Sequence, residues 1–123
     1  MRKLRVPAEA LRGLRVFIFD LDGTLIDSKL DLARSVNATR AQFALPPLPD
    51  EQIYGYVGHG AQMLIRRALG EAADEQTVQR GLQFFVDYYR AHMLDTTTAY
   101  PGVQDALTTL AANDRILTVL TNK

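Results

Sequence analysis

The residues best placed to do chemistry are two aspartates. Asp20 closes the run RVFIFD, residues 15–20, and Asp22 follows two positions later, ahead of Gly23 and Thr24. A carboxylate at the end of a buried strand needs a charge partner, because stripping water from an ion is costly. A bound cation serves that need, and oxygen ligands suit Mg²⁺. Beside a metal a carboxylate stays ionised and can attack an electrophile such as phosphorus. A second carboxyl group nearby can then protonate the leaving oxygen. Gly23 permits a tight turn, and Thr24 offers a hydroxyl and an N–H near the same point. A plain turn with two solvated aspartates is the bland alternative. The apolar run before Asp20 and the TLIDS that follows Gly23 weigh against it.

Positioning such a pair takes a particular set of elements. Residues 15–20 are short, continuous and rich in Val, Ile and Phe, which suits a strand buried on both faces of a parallel sheet. Ligands of open α/β sheets bind beyond the carboxyl ends of the strands, which is where Asp20 falls. Residues 1–13 read as a polar, partly helical lead-in. Leu32, Val36 and Phe43 suit one face of a helix from Ser28 to about Leu45, with Asp27 or Ser28 as its cap. Pro46, Pro47 and Pro49 end it, and a short helix follows near Pro49–Tyr56. Beyond a loop with Gly55, Gly58 and Gly60, residues 61–69 place Ala61, Leu64, Ile65, Ala68 and Leu69 on one stripe. Residues 75–94 do the same with Val78, Leu82, Phe85, Tyr89 and Met93. Pro101-Gly102 precedes a further amphipathic helix, and Arg115–Leu120 is a second strand-like run, RILTVL. Two parallel-type strands joined through helices predict an α/β fold with a right-handed crossover. The helical block between them is too long for a simple crossover. The expected organisation is a partial Rossmann-like parallel sheet from residues 1–27 and 95–123, holding its first two strands, with an all-helical cap inserted over 28–94.

Composition narrows the function classes. Fourteen basic and fourteen acidic residues cancel, which argues against a nucleic-acid or anionic-membrane surface. The absence of cysteine excludes disulfides, thiolate metal sites and cysteine nucleophiles. No apolar run is long enough to cross a bilayer, and Pro7, Glu9 and Arg12 break a signal-peptide pattern behind Arg2, Lys3 and Arg5. A cytoplasmic location is the expectation. At 123 residues the chain can bury one core with a modest stability margin.

FDLDGTLIDS, residues 19–28, resembles the first motif of the haloacid dehalogenase superfamily of phosphohydrolases. LTVLTNK, residues 117–123, is similar to the second motif, a strand ending in Thr121. YVGHGAQMLIRRAL, residues 56–69, and YPGV, residues 100–103, resemble the phosphoglycolate phosphatase branch, which carries a helical cap between the first motif and the next core helix. The resemblance implies a Mg²⁺-dependent phosphomonoesterase, with 2-phosphoglycolate the favoured substrate. In that scheme Asp20 is the nucleophile that forms an aspartyl-phosphate, and its other oxygen binds the metal. Asp22 serves as proton donor and then general base, and its backbone carbonyl also reaches the metal. Thr121 and the Asn122 N–H hold phosphoryl oxygens. The acid at position 22 separates the chain from true dehalogenases, which lack it.

The resemblance also implies parts that the sequence does not contain. Family members supply a charge-balancing lysine after a further helix, then an acidic cluster that completes the Mg²⁺ site. The TNK lysine, Lys123, does not stand for the first of these. A truncated species, inactive or nearly so and marginally stable, is therefore expected, with open strand edges that invite self-association. Two other readings stay open. One is a non-catalytic remnant that binds a partner through its helical cap. The other is a sugar phosphomutase-like transferase sharing the first motif. A downstream lysine followed by a Gly-Asp-rich motif discriminates the phosphatase from the remnant.

Among the remaining residues, His59 lies between Gly58 and Gly60, either as a cap residue that reaches substrate or as a surface loop histidine. Arg66 and Arg67 could attract an anionic substrate, but on an amphipathic helix one or both read as solvated, and the tyrosines at 54, 56, 88 and 89 read as cap packing. His92 has no evident partner and is assigned no role.

Overall fold

The computed structural model describes residues 7–121. In chain order the elements are α1 (Ala8–Arg12), β1 (Val16–Phe19), β2 (Ile26–Asp27), α2 (Lys29–Gln42), α3 (Asp50–Tyr54), α4 (Gly60–Leu69), α5 (Glu75–His92), β3 (Thr98–Ala99), α6 (Val103–Ala112) and β4 (Ile116–Val119). β1 and β4 pair in parallel, with Val16 opposite Ile116 and Phe19 opposite Val119. β2 and β3 form a second two-stranded sheet. The fold is α/β. Over the described residues it divides into two compact units, bounded as Met1–Ile26 with Ala99–Lys123 and as Asp27–Thr98.

The α/β unit follows the strand reading in position and direction but not in burial. Val16, Ile18 and Ile116 are 51%, 65% and 59% exposed. Side chains alternate along a strand, so Val16 and Ile18 share one face, and Ile116 joins it opposite Val16. Phe17 and Phe19 lie on the other face, with rings 6.3 Å apart, and are partly covered. Neither face of the pair is fully closed among the described residues, and α6 buries no residue completely.

The helical unit holds nearly all of the core. Ala33, Val36, Ile53, Leu64, Ile65, Ala68, Leu69 and Phe85 form one buried cluster. The stripes read for α4 and α5 point inward as their period requires, except that Ala61 is exposed. Gly81 sets the spacing of α4 and α5. A Cβ there would stand 2.7 Å from Leu69 Cδ1 and 3.1 Å from Ile65 Cγ2.

α2 differs most from expectation. Besides Ala33 and Val36 it buries Asp31, Ser35, Thr39 and Arg40. The Ser35 hydroxyl donates to the Asp31 carbonyl at 2.7 Å, and the Thr39 hydroxyl to the Ser35 carbonyl at 2.9 Å. Each hydroxyl is thereby satisfied within its own helix. The Arg40 guanidinium donates to the carbonyls of Pro46 and Ala68. Ala68 lies in the last turn of α4, where carbonyls lack helical partners and a cation is favoured.

α2 stops at Gln42, four residues before the first proline. Ala44 takes a left-handed φ of 54°. Its N–H donates to the Ala41 carbonyl, and the Leu45 N–H to the Arg40 carbonyl. This is the paired pattern of a Schellman stop, with alanine where glycine is usual. No helix among the described residues is long and apolar enough to cross a membrane.

Candidate active site

The candidate site starts where β1 ends. Asp20 is the first residue beyond the strand, and its Oδ1 accepts from the Leu21 N–H at 2.9 Å. The chain then winds around one carbonyl: Leu21 O accepts from the N–H groups of Thr24, Leu25 and Ile26 at 3.3, 3.0 and 3.1 Å. Gly23 takes φ 78°, a left-handed conformation that costs a side-chain-bearing residue energy, and its N–H donates to the Ile26 carbonyl at 2.9 Å. The loop therefore holds Asp22, bridged to Ile26, immediately past the strand. The Thr24 N–H is engaged inside this loop and is not the open donor expected of it; the residue itself is exposed.

β4 brings the second motif to the same end. The Leu120 N–H donates to the Phe19 carbonyl at 2.9 Å, which extends the parallel pairing one step past β4. Thr121 follows directly, so it and Asp20 both leave the same end of the strand pair. Asp20, Asp22, Gly23, Thr24 and Thr121 all belong to the α/β unit, at the carboxyl ends of adjacent parallel strands. Asn122 lies outside the described residues.

His59 belongs to the helical unit, where it precedes the first residue of α4. Its Nδ1 lies 3.4 Å from Arg67 Nη1, which also donates to the Tyr56 carbonyl at 3.4 Å. Arg66 pairs with Glu75 across the α4–α5 turn and holds that carboxyl below its usual value. Arg67 is exposed and Arg66 partly so, and both reach solvent while making these contacts. Both line an open groove of about 800 Å³ with Tyr56, Met63, Glu71 and Ala73. The spacing of His59 and Arg67, from a loop to the far end of a helix, leaves no periodic signal in the sequence. His92 also has a partner: its Nδ1 lies 2.8 Å from Asp95 Oδ2, and its ring stacks on Tyr88 at 4.2 Å.

Asp20 and Asp22 are both exposed. The expectation of a buried strand end that demands a counter-ion is therefore corrected: water reaches both carboxylates, because the sheet end is open. The donor chemistry still fits Mg²⁺. The two carboxylates and the backbone carbonyl of Asp22 are hard oxygen donors, and Mg²⁺ commonly takes one or two protein carboxylates, with water and phosphate oxygens filling its other positions. No group of three or more His, Asp or Glu able to hold a metal occurs among the described residues, so the fit is to that sparse type of site.

Comparison with known proteins follows the same residues. The family model for haloacid dehalogenase-like hydrolases matches residues 17–123, from β1 through the second motif. The chain belongs to this family. Among haloacid dehalogenase-like relatives, a phosphoglycolate phosphatase of Chromobacterium violaceum is 45% identical over 117 residues, covering 92% of this chain and 53% of the relative. A phosphoglycolate phosphatase of Mannheimia succiniciproducens is 43% identical, covering 85% of this chain and 50% of the relative. The crystal structure of a predicted phosphoglycolate phosphatase from Haemophilus somnus superposes with a TM-score of 0.81 at 32% identity, covering 89% of this chain and 52% of that one. The chain thus spans about half the length of the curated relatives it matches.

Proposed function

We propose that this chain carries the nucleophile-bearing half of a phosphomonoester hydrolase of the phosphoglycolate phosphatase type. The observation that carries the reading is the emergence of Asp20 and Thr121 from adjacent carboxyl ends of one parallel strand pair, with Asp22 held in the intervening turn. An Asp20 oxygen attacks phosphorus. The phosphorus–oxygen bond to the substrate alcohol breaks, and Asp22 gives its proton to that oxygen. A water molecule then attacks the aspartyl-phosphate while Asp22 takes its proton, releasing inorganic phosphate and restoring Asp20. Two displacements replace one difficult step. The Thr121 hydroxyl and the Asn122 N–H donate to phosphoryl oxygens, and Gly23 and Thr24 shape the turn beside them. Asp20 and the carbonyl of Asp22 would hold Mg²⁺, which when bound offsets negative charge between nucleophile and phosphate.

The substrate in this reading is a small phosphorylated metabolite, with 2-phosphoglycolate first among candidates because the relatives named above are phosphoglycolate phosphatases. The helical unit serves as the cap, and His59 is its proposed substrate-facing residue. A cysteine-free sequence and balanced charge suit a cytoplasmic enzyme that binds neither nucleic acid nor membrane. In this reading the 123 residues by themselves turn over little or no substrate, since Asp20 and Asp22 are open to water. The exposed face of Val16, Ile18 and Ile116 supports self-association of the isolated chain.

A chimera tests the reading. Residues 17–123 replace the matching segment of the Chromobacterium relative, and release of phosphate from 2-phosphoglycolate is followed with Mg²⁺. Turnover that disappears in Asp20→Asn and falls steeply in Asp22→Asn is the expected result. A folded chimera that stays active with Asp20→Asn would refute the assignment. The unmodified chain, assayed in parallel, should show no turnover above background.

A further inference from the structure

The phosphatase chemistry leaves one buried carboxylate unused. Asp31 stands in the first turn of α2 and is 1% exposed. Its oxygens accept from the Thr96 N–H at 3.1 and 2.9 Å and from the Thr96 hydroxyl at 2.7 Å. They also accept from the Thr97 N–H at 2.9 Å and the Thr97 hydroxyl at 2.8 Å. The Thr97 hydroxyl has the Met93 carbonyl at 2.8 Å as an alternative acceptor. A carboxylate taken out of water is tolerated only when its lone pairs are filled, and a carboxylate offers about four such sites. Thr96 and Thr97 fill them with both backbone and side-chain donors.

The position of this cluster gives it a role. The helical unit begins at Asp27 and ends at Thr98. Asp31 is thus close behind the entry of the chain, while Thr96 and Thr97 immediately precede its exit. More than sixty residues of intervening chain are closed into a loop by one side chain. Within that loop lies the whole main apolar cluster, from Ala33 to Phe85. Among its described residues the other unit shows no comparable closure, since α6 buries nothing fully and Val16, Ile18 and Ile116 remain open. Cooperative units with their own core and satisfied polar groups open separately from weaker neighbours.

We infer that Asp31 latches the neck of the helical unit, so that residues 27–98 form a separately cooperative module that stays folded while the α/β unit opens. The latch is independent of phosphatase activity, because it involves none of Asp20, Asp22 or Thr121. Native-state hydrogen exchange on the full 123-residue chain in rising sub-denaturing urea tests it. In the wild type, amides of α2, α4 and α5, with those of Thr96 and Thr97, should be protected at least tenfold more than those of β1, β4 and α6. In Asp31→Asn the amides of Thr96 and Thr97 should exchange at least tenfold faster, followed by those of α2 and α5, while β1 and β4 amides keep their wild-type rates. Thr97→Val, which removes one hydroxyl donor and leaves the carboxylate in place, should show the same pattern more weakly. Loss of protection in both units at one urea concentration would overturn the inference. So would an Asp31→Asn chain in which β1 and β4 amides accelerate as much as those of α2.

Discussion

The Leu120 N–H donates to the Phe19 carbonyl at 2.9 Å, one step beyond the last pair of the β1–β4 ladder. That bond aligns the residues that follow, Asp20 and Thr121, at the same sheet end. If Thr121 holds a phosphoryl oxygen, Thr121→Ala removes one hydrogen bond to a charged group, of about 1.5–3 kcal/mol. In the active chimera kcat should fall roughly 10–100-fold. Thr121→Ser should recover most of it, and steady-state kinetics on p-nitrophenyl phosphate would show both effects. An unchanged kcat in Thr121→Ala would remove this residue from the site.

Asp31 gives stability an acid dependence. Burial alone would raise its carboxyl pKa, but hydrogen bonds from Thr96 and Thr97 outweigh burial and hold it below the ordinary aspartate value. A depressed folded-state pKa adds stability above the unfolded pKa, and that stability is lost as pH falls through the folded one. The urea midpoint of the helical unit should therefore drop between neutral pH and about pH 3 more steeply in the wild type than in Asp31→Asn. Circular dichroism melts at the two pH values, run on both proteins, make the comparison.

Gly81 admits no larger side chain without movement of Leu69 and Ile65. Alanine gains about 1 kcal/mol of helix propensity but must push aside Leu69 Cδ1, the end of a flexible side chain, so its net effect should be small. Valine adds further bulk against Ile65 and should destabilise by about 1–3 kcal/mol. Thermal unfolding of the two variants ranks them, and a valine variant as stable as wild type would contradict the close α4–α5 contact.

Ala44 carries the left-handed turn that ends α2. Left-handed backbone costs a residue with a Cβ about 1–2 kcal/mol, part of which glycine returns through a freer unfolded chain. Ala44→Gly should thus stabilise the helical unit by about 0.5–1 kcal/mol, read as a higher urea midpoint with unchanged slope.

Self-association should depend on the open strand face. Ile18→Lys and Ile116→Glu place charge on positions that are 65% and 59% exposed. Sedimentation velocity of the isolated chain should show concentration-dependent association in the wild type and a monomer in either variant. Association that persists in both would direct attention to another surface.

Much of this molecule is legible in its residue order. The periods of Leu64, Ile65, Ala68 and Leu69, and of Val78 and Phe85, locate α4 and α5 because each buries one continuous stripe. The runs ending at Asp20 and Thr121 locate the two strands and the end at which chemistry would occur. α2 is harder to read. Apolar periodicity weighs Leu32, Val36 and Phe43, but Asp31, Ser35 and Thr39 are fully covered, because each finds its partner in a carbonyl or a threonine that periodicity does not register. The exposure of Asp20 and Asp22 was equally hidden, since a buried-strand composition does not reveal which neighbours cover the strand. Two-residue strands such as β2 and β3 are too short to leave a pattern.

Every rung of the β1–β4 ladder joins residues one hundred positions apart, as Val16 with Ile116. Closing so long a span costs chain entropy that no local contact returns, and such pairings form slowly. The helices between them meet over much shorter separations. Synthesis and refolding are therefore expected to produce the helices first and to zip the strands last, with Asp20 and Thr121 brought to one sheet end only in that final event. Stopped-flow refolding that reported strand pairing ahead of helix packing would contradict this order.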